Sequence, residues 1–286
     1  MEREMSVLKT VLTTPMTADG QLNLQAIPAF VTELAATGSS TIVVGAGAEQ
    51  FLSSAERLLV TEKVNSCLPQ GTSLWVAVPQ TDLQTALAFA QQYAHINHVS
   101  ALFVSVPAAP GIHADGAAAY LRVFADHSEL PIVILNQSRT VPHLSVQQLL
   151  SLALLPQVQG IVTDDVQQLD ALIAGTKETP CAVATSVPQH FAQALISGAD
   201  GIVTPAGQLY GSALQRIARL VHDHEWPDAL AAQRALTTLF DECQRVGWHA
   251  ATKVLQPESG PCRLPLRKPA FSEQQLLQTL NQQVKL

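Results

Sequence analysis

Charged side chains are scarce in this chain of 286 residues. Asp, Glu, Lys and Arg make up 14% of it, whereas about 25% is usual. The 23 acidic side chains outnumber the 16 basic ones, which gives a formal net charge of −7. No stripe of Lys or Arg is visible that could neutralise a phosphate backbone. We therefore expect no nucleic-acid partner, and the weakly charged surface is compatible with burial in an oligomer.

Cysteines are also rare, and long apolar runs are missing. The cysteines show no CxxC or Cys/His spacing, so we interpret them as free thiols in a reducing compartment: Cys67, Cys181, Cys243 and Cys262. The opening MEREMSVLKT lacks the apolar segment of a secretory signal. No uninterrupted apolar stretch reaches the ~18 residues that suggest a membrane span. These features predict a cytoplasmic protein without a membrane partner.

Eight short runs rich in β-branched residues are present, and stretches with helical periodicity separate them. Several runs are continuously apolar, which is typical of parallel strands covered on both faces. The runs begin at Leu8, Thr41, Ser73, Ala101, Pro131, Val158, Pro180 and Gly201. Eight strands alternating with helices predict an α/β fold, a (β/α)8 TIM barrel. A doubly wound sheet is the alternative, but it usually has fewer strands and a clear phosphate-binding turn.

Helical periodicity continues after the eighth run. Trp226-Pro227 is expected to break it, and three segments show the pattern: 211–224, 228–247 and 272–284. No linker or low-complexity segment interrupts the chain. We therefore predict a barrel over residues 1–210 and a C-terminal helical extension over residues 211–286, packed as parts of one unit.

Six segments, in order, are similar to those of one enzyme family. They are TTPMTADGQLN from Thr13, VVGAGAEQFLSSAER from Val43, LPIVILNQSRT from Leu130, VQGIVTDD from Val158, GADGIVTPAG from Gly198 and the late stretch from Lys253 to Leu266. Through their order and spacing the chain resembles the dihydrodipicolinate synthase / N-acetylneuraminate lyase family of pyruvate-dependent class I aldolases. The resemblance implies a lyase in which a lysine forms a Schiff base with pyruvate, and the iminium serves as an electron sink.

The residues that this mechanism needs are largely replaced. Carried over by position, the lysine falls on Val162, the catalytic tyrosine on Leu135, and two carboxylate-holding threonines on Ala46 and Gly47. None of the lysines stands at the carboxyl end of a predicted strand: Lys9, Lys63, Lys177, Lys253, Lys268 and Lys285. We therefore expect the fold without its Schiff-base chemistry. No catalytic residue is assigned, and whether the chain is an enzyme stays open.

The loops at the carboxyl ends of the strands, where barrels of this type carry their sites, retain residues suited to a small acid. Gly45-Ala46-Gly47 precedes a helical stretch and can present backbone amides to an anion, although a tight turn alone would explain the glycines. Arg139 offers a fixed positive charge for a carboxylate. The predicted ligand-binding residues, taken partly from the resemblance, are Gly45, Ala46, Gly47, Asn136, Arg139, Thr163 and Val203. We predict no cofactor.

Carboxylates and histidines on these loops leave alternatives open. Glu49 and Asp164, with Asp165, are candidate ligands for Mg²⁺ or Mn²⁺. A helix cap explains one Asp more simply, so no metal is predicted. Three histidines are candidate acids, bases or ligands: His113, His143 and His190. No HxH or HExxH spacing links them, and solvated loop histidines are the simpler interpretation.

Two functions from different classes follow. The leading prediction is a family member inactive as a Schiff-base aldolase, which binds a small carboxylate or sugar acid or acts through assembly with a partner. The alternative is an active lyase or aldolase with rebuilt chemistry, based on a metal or on His and Asp, acting on a 2-oxo acid or sugar acid. The simultaneous loss of lysine, tyrosine and threonines favours the first. The resemblance also implies a homo-oligomer, a dimer or a tetramer.

Overall fold

The computed structural model describes residues 7–105, 109–137 and 142–284. Its strands are β1 (Leu8–Val11), β2 (Thr41–Val44), β3 (Ser73–Ala77), β4 (Val99–Val104), β5 (Ile132–Asn136), β6 (Val158–Thr163), β7 (Ala182–Thr185) and β8 (Gly201–Thr204). Each strand pairs in parallel with the next, and β1 pairs with β8 to close a barrel. The predicted (β/α)8 barrel with C-terminal helices is confirmed.

Helices follow the strands around the barrel and continue beyond it. Those of the barrel are α1 (Ile27–Ala36), α2 (Ser54–Ser66), α3 (Leu83–Ala94), α4 (Ala114–His127), α5 (Val146–Ala153), α6 (Val166–Gly175), α7 (Phe191–Ile196) and α8 (Gly207–His222). The extension contains α9 (Trp226–Val246), α10 (Trp248–Leu255) and α11 (Phe271–Gln283). Short 3-10 turns lie at Gly47–Phe51, Pro188–His190 and Pro257–Ser259. None of the helices in these ranges is long and apolar enough to cross a membrane.

Polar residues fix where several of these helices begin. Ser53 accepts a hydrogen bond from the amide of Glu56, whose carboxylate accepts one from the Ser53 amide. Ser145 and Gln148 repeat this reciprocal capping box at the start of α5. Each box satisfies amides that the first helical turn leaves without an intrahelical partner. The helices on the outside of the barrel therefore begin at positions that the sequence specifies locally.

Strand side chains alternate between two cores. Outward side chains pack against the helices. Inward side chains fill the barrel with small, branched and aromatic groups: Val43, Trp75, Ala77, Ala101, Phe103, Val133, Val162, Ala184 and Val203. Burial on both faces explains why the strands are continuously apolar in sequence. One charged side chain also enters the barrel, because the ammonium of Lys9 lies 5.8 Å from the centre of the Trp75 ring.

The C-terminal helices place the junction of α9 and α10 over the carboxyl end of the barrel. Helix α9 packs on α7 and α8, and α10 packs on α9 and α11. Gly247 joins α9 to α10 with a φ of 97°, a conformation that favours glycine. The Trp248 ring packs edge-on against Phe240, with ring centres 5.5 Å apart. These contacts fix the first turn of α10.

The observed elements differ from the sequence predictions in two places. Trp226-Pro227, expected as a break, forms the start of α9, where proline is tolerated because its missing N–H would have no intrahelical partner. Helix α10 (Trp248–Leu255) follows the expected segment 228–247 as a separate helix that the periodicity did not indicate. The division expected after residue 210 falls inside α8, which packs against β1 as the eighth barrel helix. The grouping into 1–210 and 211–286 stays a prediction.

Candidate functional site

A cavity of about 650 Å³ lies at the carboxyl ends of the strands. Loops from around the barrel contribute its wall, with Thr13 after β1, Glu49 after β2, Asp164 after β6 and Ser186 after β7. The α9–α10 junction contributes residues 246–250. Small-molecule sites commonly enclose ~300–1,000 Å³, and TIM barrels carry their sites at this end. The cavity is therefore the candidate site.

The cavity and the barrel interior beneath it are aliphatic where the resemblance places the reactive lysine and tyrosine. Leu135 and Val203 line the cavity. Val162 stands between Leu135 on β5 and Ala184 on β7 in the parallel register. Its side chain is 1% exposed and belongs to the apolar cluster inside the barrel. These groups provide van der Waals contact and exclude water, but none can attack a carbonyl.

The turn after β2 is held by an arginine from α2. Gly45 and Gly47 have φ values of 77° and 60°, which glycine adopts without steric cost. Arg57 Nη1 donates a hydrogen bond of 2.8 Å to the Gly45 carbonyl, and burial lowers the pKa of this guanidinium. A Cβ on Gly45 would lie 2.5 Å from the same nitrogen. Ala46 and Gly47 line the cavity, so the turn presents its backbone to a ligand.

Glu49 and His249 meet in the cavity wall. Glu49 Oε1 lies 3.2 Å from His249 Nδ1 and accepts a hydrogen bond of 3.1 Å from the Thr14 amide. Its other oxygen, Oε2, is buried and has no hydrogen-bond partner among the described residues. Burial raises the pKa of this carboxyl, but the hydrogen bonds from His249 and Thr14 outweigh it and hold the pKa below its ordinary value. Glu49 is therefore an ionised acceptor at neutral pH.

The amine of Lys253 holds the loop after β1 in place through hydrogen bonds. Its Nζ donates hydrogen bonds of 2.7 Å to the Thr14 carbonyl and 2.5 Å to the Ser259 carbonyl. Burial lowers the pKa of Lys253 to about 8, although the charge of Glu49 acts in the opposite direction. The amine thus clamps the loop after β1 to the turn after α10. It does not line the cavity.

Several predicted ligand-binding residues reach the cavity wall and one lies outside the described ranges. Ala46, Gly47 and Val203 line the cavity, while Gly45 shapes the turn behind them. Arg139 belongs to the residues that the structure does not describe. A role in ligand binding for these residues stays a prediction.

Asn136 and Thr163 hold backbone in place at the ends of β5 and β6. Asn136 Nδ2 donates to the Leu144 carbonyl at 3.1 Å, and its Oδ1 accepts from the Leu144 amide at 3.0 Å. Thr163 Oγ1 accepts a hydrogen bond of 3.0 Å from the Asp165 amide. Both side chains are buried, and neither lines the cavity. Their hydrogen bonds close the neighbouring loops, and ligand contact by either side chain stays a prediction.

The candidate metal ligands have different positions and roles in the structure. Asp165 caps α6, since its Oδ1 accepts hydrogen bonds from the first amides of the helix, and the capping interpretation is confirmed. Asp164 and Glu49 line the cavity. Within the described ranges, no three His, Cys, Asp or Glu side chains are grouped so that they could hold a metal ion.

The histidines proposed from sequence have different surroundings. His113 is exposed at the start of α4. His143 Nε2 lies 4.0 Å from Asp165 Oδ2, and His190 lines the cavity as an exposed side chain. The sequence reasoning missed His249, because it considered only the loops that follow strands. The available signal was its helical i,i+4 spacing from Lys253, which puts both side chains on one face of α10.

Comparisons with known proteins identify relatives over nearly the whole chain. A model of the "Dihydrodipicolinate synthetase family" matches residues 4–285. A 4-hydroxy-tetrahydrodipicolinate synthase of Streptococcus pneumoniae (strain Taiwan19F-14) is 26% identical over 264 residues, 90% of this chain and 85% of the relative. The same enzyme of Leuconostoc citreum (strain KM20) is 25% identical over 234 residues, 80% of each chain.

Solved structures agree on the fold. A dihydrodipicolinate synthase from Bacillus anthracis superposes with a TM-score of 0.92 at 20% identity, covering 99% of both chains. An N-acetylneuraminate lyase from Fusobacterium nucleatum gives a TM-score of 0.86 at 16% identity, again covering 99% of both chains. At 20% and 16% identity, the structural similarity establishes a shared fold. The chemistry has to be inferred from the residues of the site.

Proposed function

The chain belongs to the dihydrodipicolinate synthetase family, and on that premise we propose that it binds a small carboxylate or sugar acid without forming a Schiff base with pyruvate. The relatives named above are synthases and lyases. This chain keeps their barrel and the cavity at its carboxyl end. In this proposal it is inactive as a pyruvate Schiff-base aldolase.

The observation that carries the proposal is the lack of an amine in the cavity wall. No lysine is among the described residues that line the cavity. Lys253 is bound by two backbone carbonyls, and Lys9 is buried inside the barrel near the start of β1. An amine can attack a ketone only where the ketone can reach it, so the iminium step has no nucleophile here.

The surrounding replacements support the same conclusion. Leu135 stands where the resemblance places the proton-shuttling tyrosine, and Ala46 and Gly47 stand where it places the threonines. Losing the nucleophile, the proton carrier and the hydroxyl donors together removes the parts of one mechanism. If the lysine had only moved to another position, the tyrosine and the threonines of the same mechanism would be expected to remain. The intact cavity supports non-covalent binding, with the amides of the Gly45–Gly47 turn as the expected carboxylate contact.

The second candidate is an active lyase with rebuilt acid–base chemistry. One observation favours it, because the carboxylate of Glu49 contacts Nδ1 of His249 at 3.2 Å. A carboxylate in this position orients an imidazole for proton transfer. The described residues that line the cavity include no iminium-forming amine to stabilise the carbanion that aldol cleavage generates. We therefore rank non-covalent binding first.

Thermal unfolding in the presence of a panel of small acids tests the proposal. A ligand that binds only the native state raises the unfolding temperature with a saturating concentration dependence. Ala46→Leu, which fills space at the cavity wall, is expected to abolish the rise. Ala119→Leu makes the same change on the exposed face of α4 and serves as the control. No stabilisation by any carboxylate or sugar acid would contradict the proposal.

We also propose that the chain forms a homo-oligomer, a dimer or a tetramer, and works in the cytoplasm. The family resemblance supports the assembly, and the four cysteines, all free thiols in the structure, support a reducing compartment. Light scattering on purified protein measures the mass of the assembly. A monomer at micromolar concentration would contradict this part.

A further inference from the structure

We infer that the cavity takes an aliphatic monocarboxylic acid, with its carboxylate on Arg267 at the rim and its carbon chain on the floor. The inference rests on the proposed non-covalent binding of a small carboxylate, and it names the class of acid and the direction in which the acid lies. Its basis is the separation of apolar and charged groups between the strands and the segments above them.

The floor of the cavity is formed by strand residues and is apolar. Four side chains from β1, β4, β5 and β8 line the cavity and belong to, or pack against, the apolar cluster inside the barrel: Val11, Phe103, Leu135 and Val203. All eight strands are parallel, so residues within them lie deeper than the loops that follow. A carbon chain on this floor loses hydrated surface without leaving a polar group unpaired.

The rim of the cavity is polar. Residues just past the strand ends and residues of the C-terminal extension contribute to it, among them Thr13, Asp164, Ser186, Asp241, Gln244 and Arg267. Of the described residues that line the cavity, only Arg267 carries a permanent positive charge. Neutral donors share the rim, but a guanidinium combines a fixed charge with paired N–H groups that match a carboxylate. The acid end of a ligand is therefore expected at Arg267.

Arg267 is oriented by Glu273 and keeps unused donors. Its Nη1 donates to Glu273 Oε2 at 2.7 Å, and its Nη2 donates to Glu273 Oε1 at 2.8 Å. This fork uses one N–H of each terminal nitrogen, so Nε and the outer N–H groups donate to no described residue. The side chain is 62% exposed. A ligand carboxylate can thus bind the free edge of the guanidinium while Glu273 holds the other edge.

Glu273 does not depend on Arg267 for its own partners. It also accepts hydrogen bonds from the Ala270 amide at 2.7 Å and from Arg245 Nη1 at 3.3 Å. An exposed ion pair of this kind contributes little to stability. Removing the Arg267 guanidinium therefore leaves Glu273 satisfied, and Arg267→Gln is expected to fold and to report on binding.

Isothermal titration calorimetry with three six-carbon compounds tests the inference. Hexanoate carries the charge and the apolar chain, D-gluconate adds hydroxyl groups along the chain, and hexanamide keeps the chain without the charge. The wild-type protein is expected to bind hexanoate at least about tenfold more tightly than D-gluconate. From butanoate through pentanoate to hexanoate, each added methylene should tighten binding by roughly threefold, because it is buried on the floor.

The carboxylate contact is tested by Arg267→Gln. This variant should bind hexanoate about tenfold more weakly, since a hydrogen bond to a charged group is worth about that factor, and should bind hexanamide as the wild type does. Added salt should weaken hexanoate binding in the wild type and not in the variant. Arg216→Gln is the matched control, because Arg216 is exposed on α8 and lies outside the cavity wall.

The floor is tested by Leu135→Asn, which keeps the shape of the side chain and adds an amide. It should remove most of the gain per methylene, whereas Leu154→Asn makes the same change at a residue that is 72% exposed. Melting by circular dichroism checks that each variant folds. If Leu135→Asn does not fold, the chain-length series on the wild type decides the point.

The outcomes separate this inference from the proposed function. If D-gluconate binds as tightly as hexanoate, or if affinity is independent of chain length, the apolar floor is refuted while the proposed binding of a small acid stands. If Arg267→Gln leaves hexanoate binding unchanged, or weakens hexanamide binding equally, Arg267 is not the carboxylate contact and the inference fails. If no acid binds, the proposed function fails together with the inference.

Discussion

Replacing Lys9 with methionine should stabilise the barrel at neutral pH. Its side chain is 2% exposed and lies in the barrel interior above the Trp75 ring. Burial lowers the pKa of Lys9 to about 8, although the charge of Asp200 acts in the opposite direction. Methionine keeps the length of the chain and removes the charge, so Lys9→Met tests what the buried ammonium costs.

The magnitude follows from proton linkage. The ordinary pKa of a lysine is 10.5, and each tenfold change in proton affinity is worth about 1.4 kcal/mol. A folded-state pKa of about 8 therefore corresponds to about 3 kcal/mol against the charged form. Between pH 8 and 10.5 the unfolded chain binds more protons than the native one, so the free energy of unfolding rises with pH in this window. Below pH 8 the full cost is present.

The assay is urea unfolding of the wild type and of Lys9→Met across pH 7 to pH 10.5. Lys253 also has a pKa lowered to about 8, but its contribution is common to both proteins and cancels in the difference. We expect the variant to be more stable by up to about 3 kcal/mol at pH 7, with the advantage vanishing towards pH 10.5. Lys268→Met removes an exposed lysine as a control. A less stable variant, or a difference independent of pH, would refute the reasoning.

Substitutions at three further positions test other parts of the structure. Val162→Lys places a charge in the apolar cluster inside the barrel and should lower the free energy of unfolding by roughly 2–4 kcal/mol in urea titrations. An unchanged urea midpoint would show that the barrel interior is open to water. Asp165→Ala removes the cap of α6 and should cost about 1 kcal/mol, whereas Asp165→Asn should keep most of it. Gly260→Ala should lower the free energy of unfolding by more than about 2 kcal/mol in calorimetry, because φ is 76° and the new Cβ would clash with the Met16 carbonyl. A loss below about 0.5 kcal/mol, which is usual for surface substitutions, would contradict this.

The strands were predictable because each is buried on both faces. In a run such as ALFV (Ala101–Val104), alternate side chains pack under the helices and inside the barrel, so the run is apolar without interruption. The location of the site followed from the rule that TIM barrels carry their sites at the carboxyl ends of the strands. The valine at position 162, where the resemblance places the lysine, was visible in the sequence. Local patterns of this kind need no knowledge of distant contacts.

The polar half of the site was not predictable in the same way. Glu49 and His249 are 200 positions apart, and they meet only because α9 and α10 pack back over the barrel. No local pattern specifies that approach. Asn136 was ambiguous for a related reason, since an amide at a strand end suits a ligand and a neighbouring loop equally well. The sequence did not indicate its two hydrogen bonds to Leu144, which depend on the path of the loop.

The central claim is that this member of the family forms no Schiff base with pyruvate. Borohydride trapping tests it most directly: the protein is incubated with pyruvate, reduced, and its intact mass measured beside a family member that has the lysine. We predict no gain in mass for this chain while the control is trapped stoichiometrically. A stoichiometric gain, mapped by peptide analysis to one of its six lysines, would contradict the account and identify a relocated nucleophile.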